Sequence, residues 1–375
     1  MKIRSTKQQL LNAVNIAGRA VATKTTMPIL ECLLFTADSL GISVMANDGE
    51  MAVNTLIPSE KCEIMEPGTI AVEAKLFSEI MRKISSADDA EVMISSDGSL
   101  VEISCGKAFF RIQEKDPVQF PELPSVNENA KVVLSEFTLK EIVKDTIFSI
   151  ALNDSNRMMT GELFEIKENM LTVIALDGHR VSIKNTFLTA SYDHVRTIIP
   201  GKTLSEVSRI ISGDSEKSVV ISFDTNYVSF RFDETLLLSR IIDGDYFRIE
   251  SMLTADFDTK VTVNKKEFLD AIEQSTVLIR ENDRKPLVLK IEEGKLGLRV
   301  NSLIGSLDAS LPAEKSGADL MIAFNPKFLL DALRVIDEEN VTLFMTNSKA
   351  PCFLRDEENT YIYLILPVNF NPAAY

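Results

Sequence analysis

Histidine is almost missing from this chain: 375 residues hold two, His179 and His194. Neither has a nucleophile motif beside it, and an imidazole needs partners for general-base or metal chemistry, so no catalytic constellation is built around either one. Cysteine is as sparse. Cys32, Cys62, Cys105 and Cys352 lie far apart with no Cys-x-x-Cys, which signals neither a zinc site nor a disulfide framework and reads as buried free thiols. No stretch approaches ~18 uninterrupted apolar residues, so no membrane-spanning helix and no membrane partner is expected. The opening MKIRSTKQQLLNAVNIAGRA scatters its charges and has no apolar block before a cleavage site, and the expectation is a soluble, cytoplasmic protein. Positive charge is in deficit too. A net charge of -15 argues against coating nucleic acid with the whole outer surface, but leaves room for a basic face.

What is present is repetition. With 45% hydrophobic residues the chain exceeds what one hydrophobic core usually holds, and two or three domains are expected. Self-comparison gives three. PILECLLFTADSLGISVMANDGEMAVNTLIP from 28, TGELFEIKENMLTVIALDGHRVSIKNTFL from 160 and PLVLKIEEGKLGLRVNSLIGSLDASLP from 286 each read as an alternating strand, a polar turn and further strands. A helical segment recurs as FSEIMRKI, LSEVSRII and LLDALRVI, placing Arg82, Arg209 and Arg334 in one column and Ile84, Ile211 and Ile336 in another. Another helix opens each copy, with Leu11, Leu139 and Leu269 three residues before Val14, Ile142 and Ile272. Boundaries fall near 126 and 253, and each third nets -5. Alternating strands with one apolar face, covered by helices, make antiparallel sheets, so the fold class is α+β three times over.

The local motifs do not assemble an active site. LDGHR at 176–180 has a counterpart in ANDGEMA, which keeps Asp48 and Gly49 but has no His-Arg pair. The Asp-Gly is therefore a turn, and only His179 and Arg180 distinguish the second copy. His194 is expected in a loop, SYDHVR. PGKTLSE resembles the end of a phosphate-binding loop, but the required first glycine is Arg196. Asp243 and Asp245 around Gly244 read as a solvated turn with no third metal ligand. No catalytic residue, metal or cofactor is expected.

A recurring set of cations remains. Lys75, Arg82 and Lys83 surround the second helix of the first copy, Lys140 and Lys144 lie on the first helix of the second, and Lys202 and Arg209 flank its second helix. Lys265, Lys266, Lys327 and Arg334 belong to the third. Helices lining one concave face would give an acidic protein a basic surface that holds phosphates without reading bases.

The repeat, together with TMPIL at 26–30, FPELP at 120–124, LDGHR at 176–180, IPGK at 199–202, IDGDYF at 242–247 and LILPV at 364–368, resembles the bacterial DNA sliding clamp family, beta subunits of the replicative DNA polymerase holoenzyme. The resemblance runs over essentially the whole chain. It implies clamp domains over 1–126, 127–253 and 254–375, and a head-to-tail homodimeric ring with helices inside and sheets outside. It also implies a non-catalytic tether around double-stranded DNA, held independently of sequence. Partners would be the polymerase catalytic subunit, the clamp loader and other proteins with a clamp-binding motif.

By position, the resemblance implies DNA contacts at Lys24, Arg82 and Lys202, with Lys75 a weaker match; Arg209 joins them from the cation pattern. It implies a partner-peptide groove from Met159, Thr160, Leu176, Gly178, His179, Arg180, Val181, Phe247, Asn325, Phe328, Leu364, Ile365, Leu366, Pro367 and Val368, with His179 and Arg180 on its rim. Subunit contacts would come from Phe110 and Ile112 against Leu278 and Ile279. Two departures lie beside the groove. Phe247 stands where the family has proline, and Asn369 with the continuation to Tyr375 stands where the family has an arginine and ends. The competing readings are a phosphate-acting enzyme using Asp177, His179 and Arg180, and a structural adaptor that binds no DNA.

Overall fold

Polar side chains at three equally spaced positions start three equivalent helices. The Thr6 hydroxyl accepts from Gln9 N (3.3 Å), the Ser135 hydroxyl from Thr138 N (3.0 Å) and Asn264 Oδ1 from Glu267 N (3.1 Å). Each thereby satisfies an orphan amide of the first turn. They open α1 (Lys7–Ala17), α3 (Glu136–Thr146) and α5 (Lys265–Thr276), which alternate with α2 (Ala74–Lys83), α4 (Gly201–Ile210) and α6 (Pro326–Val335). The computed structural model describes residues 1–84, 87–126, 130–153, 155–253, 256–279, 285–356 and 358–372.

The caps correct the expected helix register by one residue in the central copy. Leu139 matches Leu10 and Phe268, all fully buried, whereas Leu11 and Leu269 are half-exposed. The expected column followed leucine identity; the buried face follows distance from the cap.

The second column of the repeat has a mechanical role. Lys7 Nζ donates to Ile84 O (3.0 Å), Lys140 Nζ to Ile211 O (3.2 Å) and Lys265 Nζ to Ile336 O (2.6 Å). A cation on each first helix thus caps the carbonyl end of the second, where the backbone dipole is negative. In the central copy Glu136 holds the position of Lys7 and Lys265. Its carboxylate accepts from Ser212 Oγ (2.5 Å) and Gly213 N (3.0 Å), just past α4.

The chain forms two compact units, Met1–Lys140 with Lys202–Ile241, and Glu141–Gly201 with Ile242–Tyr375. Each holds a large and a small antiparallel sheet, as the alternating strands require. In the first unit, Met51–Pro58 pairs with Thr235–Arg240, a strand of the second repeat, in the register Thr55 opposite Thr235 and Val53 opposite Leu237. In the second unit, Arg180–Pro200 pairs with Tyr361–Ile365, a strand of the third repeat, with Lys184 opposite Tyr361 and Ser182 opposite Tyr363. These two joints are copies of each other. The third repeat's counterpart of the first strand, Gly305–Pro312, and the first repeat's counterpart of the second, Ala108–Gln113, are both edge strands.

Candidate partner groove and cationic helix face

Within the second unit, the groove residues gather on one apolar cluster. Leu176, Val181 and Leu364 are buried in it, and Met159, Phe247 and Leu366 pack on it half-buried. Strand pairing explains the convergence, since Val181 lies opposite both Leu176 and Leu364. Tyr246 anchors the segment that carries Phe247. Its hydroxyl donates to Ile174 O (3.1 Å), with Gly161 O at 3.4 Å, and the two rings meet edge to face at 5.9 Å. A Cβ on Gly161 would come within 2.7 Å of Ile199 O, so only glycine allows this approach. Asp243 and Asp245 are exposed, and Gly244 adopts φ 138° with Met158 Sδ 2.9 Å from where a Cβ would stand.

The LDGHR turn is the repeated turn the sequence suggests. Asp48 Oδ1 accepts from Glu50 N and Met51 N, and Asp177 Oδ1 accepts from His179 N (3.0 Å) and Arg180 N (3.1 Å). Gly49 and Gly178 both take positive φ, 92° and 82°. His179 is exposed and stacks on Phe328 of α6 at 6.2 Å. Leu366 N donates to His179 O (2.9 Å) and Val368 N to Ala323 O (2.8 Å), which fixes the course of the LILPV segment. Asn325 caps α6 through Lys327 N (3.1 Å). Thr160 and Pro367 are half-buried beside these residues, Ile365 is buried in its strand, and Ala373–Tyr375 lie outside the described residues.

Arg180 departs from the expected rim position. It is only 6% exposed, and its guanidinium reaches Asp177 Oδ2 (2.9 Å), Asp331 Oδ2 (2.7 Å) and the carbonyl of Phe148, lying over the Phe328 ring at 4.4 Å. Sequence shows an arginine beside a histidine in a turn, but not that neighbouring side chains in a turn take opposite directions. His194 departs too. It lies within the strand Arg180–Pro200, and its Nε2 is 3.7 Å from Glu165. Among the described residues no cluster of three or more His, Cys, Asp or Glu could hold a metal.

The cations of the first unit divide by partner. Lys24, Lys75, Arg82, Lys202 and Arg209 are exposed. Arg82 donates to Asn15 of α1 (3.2 Å), and Arg334 makes the equivalent contact with Glu273 of α5 (3.0 Å). Lys202 pairs with Asp48, which explains the Gly-Lys without any phosphate. Glu206 bridges Arg209 (2.6 Å) and Arg19 (3.4 Å). Arg19 stands four residues beyond Asn15, just past the end of α1, so the end of that helix meets Arg82 through Asn15 and, through Arg19 and Glu206, Arg209. Arg19 was invisible to the repeat, having no counterpart in the other copies. Lys140 and Lys265 donate to carbonyls, and Lys144 lies near Glu141 (3.6 Å) and Asp337 (3.5 Å).

On the remaining expectations, Phe110 is half-buried and Ile112 buried on the edge strand Ala108–Gln113. Leu278 and Ile279 follow α5 half-buried, and Leu278 Cδ2 lies 3.4 Å from where a Gly305 Cβ would be, beside the other edge strand. None of the four cysteines is in a disulfide; Cys32, Cys105 and Cys352 are buried as expected, whereas Cys62 is half-buried. No helix among the described residues is long and apolar enough to cross a membrane.

Family models of the DNA polymerase III beta subunit match this chain in order: the N-terminal domain over 1–124, the central domain over 133–247 and the C-terminal domain over 250–369. The beta sliding clamp of Bacillus subtilis is 30% identical over 378 residues, 98% of this chain and 99% of that protein. Its crystal structure superposes with TM-score 0.95 over 99% of this chain and 100% of that one. A solved chain from Eubacterium rectale, assigned as a DNA polymerase III beta subunit, is 50% identical with TM-score 0.94, over 99% of this chain and 100% of its own. The chain belongs to the DNA polymerase III beta subunit family, the beta sliding clamps.

Proposed function

We propose that two copies of this DNA sliding clamp of the replicative polymerase close head to tail into a ring, each copy contributing three clamp domains with boundaries near 126 and 253. The supporting observation is the repeated joint. Two successive repeats are joined by the same strand pair in the same register, and one strand of each kind is left at a sheet edge. A second copy would complete both edges by the pairing already used twice, removing exposed strand edges and closing the assembly by symmetry. Duplex DNA threads the ring and is held by phosphate contacts alone, so the protein slides. Polymerase catalytic subunit, loader and other DNA-processing partners dock short leucine- or phenylalanine-bearing segments in the groove. The chain performs no catalysis of its own and works in the cytoplasm. Tethering keeps a released polymerase at high local concentration, which is the source of processivity.

Topology tests this reading. Loaded protein is expected to stay on nicked circular DNA and to leave once the circle is cut, as measured by gel filtration of the complex. Equal retention on both forms would reject encirclement. Reversing charge at Lys24 and Arg82 together is expected to weaken retention and to lower the salt slope of DNA binding by about one per lost phosphate contact, without changing affinity for a groove peptide. Unchanged retention would remove these cations from the DNA contact set, whereas loss of both activities would mean misfolding.

A further inference from the structure

We propose that Arg180 is a positioning residue for the groove: its guanidinium ties the LDGHR turn to α6 and to the segment after α3, setting the separation of His179 and Phe328 at the groove edge. The proposal rests on that groove being the partner-peptide site. Three segments far apart in sequence meet on one side chain. Asp177 belongs to the turn, Phe148 follows α3, and Asp331 sits on α6 one turn beyond Phe328. The guanidinium is planar and presents its donors in a fixed fork, so three acceptors in three directions define one placement of the arginine and hence of the turn. The guanidinium carbon lies 4.4 Å from the centre of the Phe328 ring, and the same ring carries the His179 stack at 6.2 Å. The α6 end of the tie is itself held, because the Tyr363 hydroxyl donates to Phe328 O (2.9 Å) from the strand that runs into the LILPV segment.

The burial of Arg180 gives the reason for action at second hand. A side chain with its donors already engaged and 6% exposure offers a partner little surface, whereas His179 beside it is exposed. Removing the guanidinium leaves Asp177 and Asp331 as two like charges on opposite sides of the tie, and they push the turn away from α6. A groove held open in one shape binds a short peptide without first ordering its own walls, so the loss appears in peptide affinity.

The scarcity of histidine supplies the readout. The Cε1–H region of a proton–carbon spectrum contains two signals, one from His179 on the Phe328 ring and one from His194 as an internal reference. In Arg180→Gln and in Asp331→Asn, the His179 signal is expected to move while the His194 signal stays, and the affinity for a synthetic peptide bearing adjacent leucine and phenylalanine to fall tenfold or more. The double variant is expected to lose no more than the worse single one, since both remove one tie. Arg180→Lys, which keeps the charge but not the fork, is expected to recover part of the affinity. An unmoved His179 signal, unchanged peptide affinity in both single variants, or fully additive losses would each overturn the proposal. If Arg180→Gln does not fold, Asp331→Asn carries the same test. Should the unsubstituted protein fail to bind the peptide, the groove reading fails, while the His179 signal still reports whether the tie exists.

Discussion

Phe110→Asp is expected to sediment as a monomer at micromolar concentration, where the unsubstituted chain is expected to sediment as a dimer, and to be lost from circular DNA at the rate it is lost from linear DNA. The two internal joints supply the geometry. Counting from the hairpin turns, Ala108 corresponds to Thr235 and Tyr361, and Ala309 to Thr55 and Lys184. Continuing the same register sets Phe110 opposite Leu307 and Phe109 opposite Asp308 across the joint between copies. The residues equivalent to Phe110 and Leu307 are Leu237 with Val53 and Tyr363 with Ser182, each at most 1% exposed. Phe110 and Leu307 are half-buried in the single chain and stand on the inward faces of their strands, as the alternation Ala108, Phe110, Ile112 against Leu307, Ala309, Leu311 demands.

A carboxylate there loses the burial of a phenylalanine and must be desolvated without a partner, a cost of about 3 kcal/mol per joint. A ring of two copies contains the joint twice, so about 6 kcal/mol is lost and the dissociation constant rises by roughly four orders of magnitude. Phe109→Asp is the control. Phe109 is 53% exposed on the outward face with Arg111 over its ring at 5.0 Å, and its substitution is expected to leave the dimer intact. A dimeric Phe110→Asp, or a monomeric Phe109→Asp, would mean that the joint between copies does not use the internal register.

Much of this arrangement was written in the alternation of the strands and the threefold recurrence of two helices, because burial of one face per strand and one stripe per helix is a periodic demand that sequence must meet. What depends on a distant partner was not. The choice between Leu10 and Leu11 as the buried column is settled by the cap at Thr6 and the neighbours of α1, and both residues are leucine. The inward turn of Arg180 depends on Asp331, over a hundred residues away. Arg19 gains its place among the cations only through Glu206 on α4. The strand position of His194 follows from an irregular pairing in which Glu168 meets Tyr192, and the bulge hides the two-residue period. Deleting the chain from Leu364 onward would not probe the groove cleanly either. Leu364 is 1% exposed and its strand lies inside the seven-stranded sheet, so the deletion removes core along with lining.

Glu162→Gln is expected to flatten the fall in thermal stability between pH 5 and pH 8. Glu162 lies fully buried on the strand Gly161–Leu176, opposite Ile199. Its Oε2 stands 3.0 Å from Thr146 Oγ1, which also lies 2.7 Å from Ile142 O, and Oε1 has no hydrogen-bond partner among the described residues. A hydroxyl has one proton. If Thr146 gives its proton to the helix carbonyl, the carboxyl has to donate to Thr146 Oγ1, which needs the acid form. Burial points the same way, pushing the carboxyl up to about 8, with the Thr146 contact pulling down only in part. No cation contributes to the shift, and the Tyr246 hydroxyl, itself pushed upward first by burial and then by Glu162, stays neutral, so nothing offsets a carboxylate there. The native chain therefore keeps a proton that the unfolded chain releases near pH 4.3. Stability from this group is complete below that pH and is lost as pH rises through about 8, at most ~5 kcal/mol over the interval. Glutamine keeps the shape and a donor to Thr146 and has no proton to lose. Its melting temperature, followed by calorimetry across the pH range, should match the unsubstituted protein near pH 5 and exceed it above pH 8. Parallel curves would show that Glu162 titrates alike in the folded and unfolded chain.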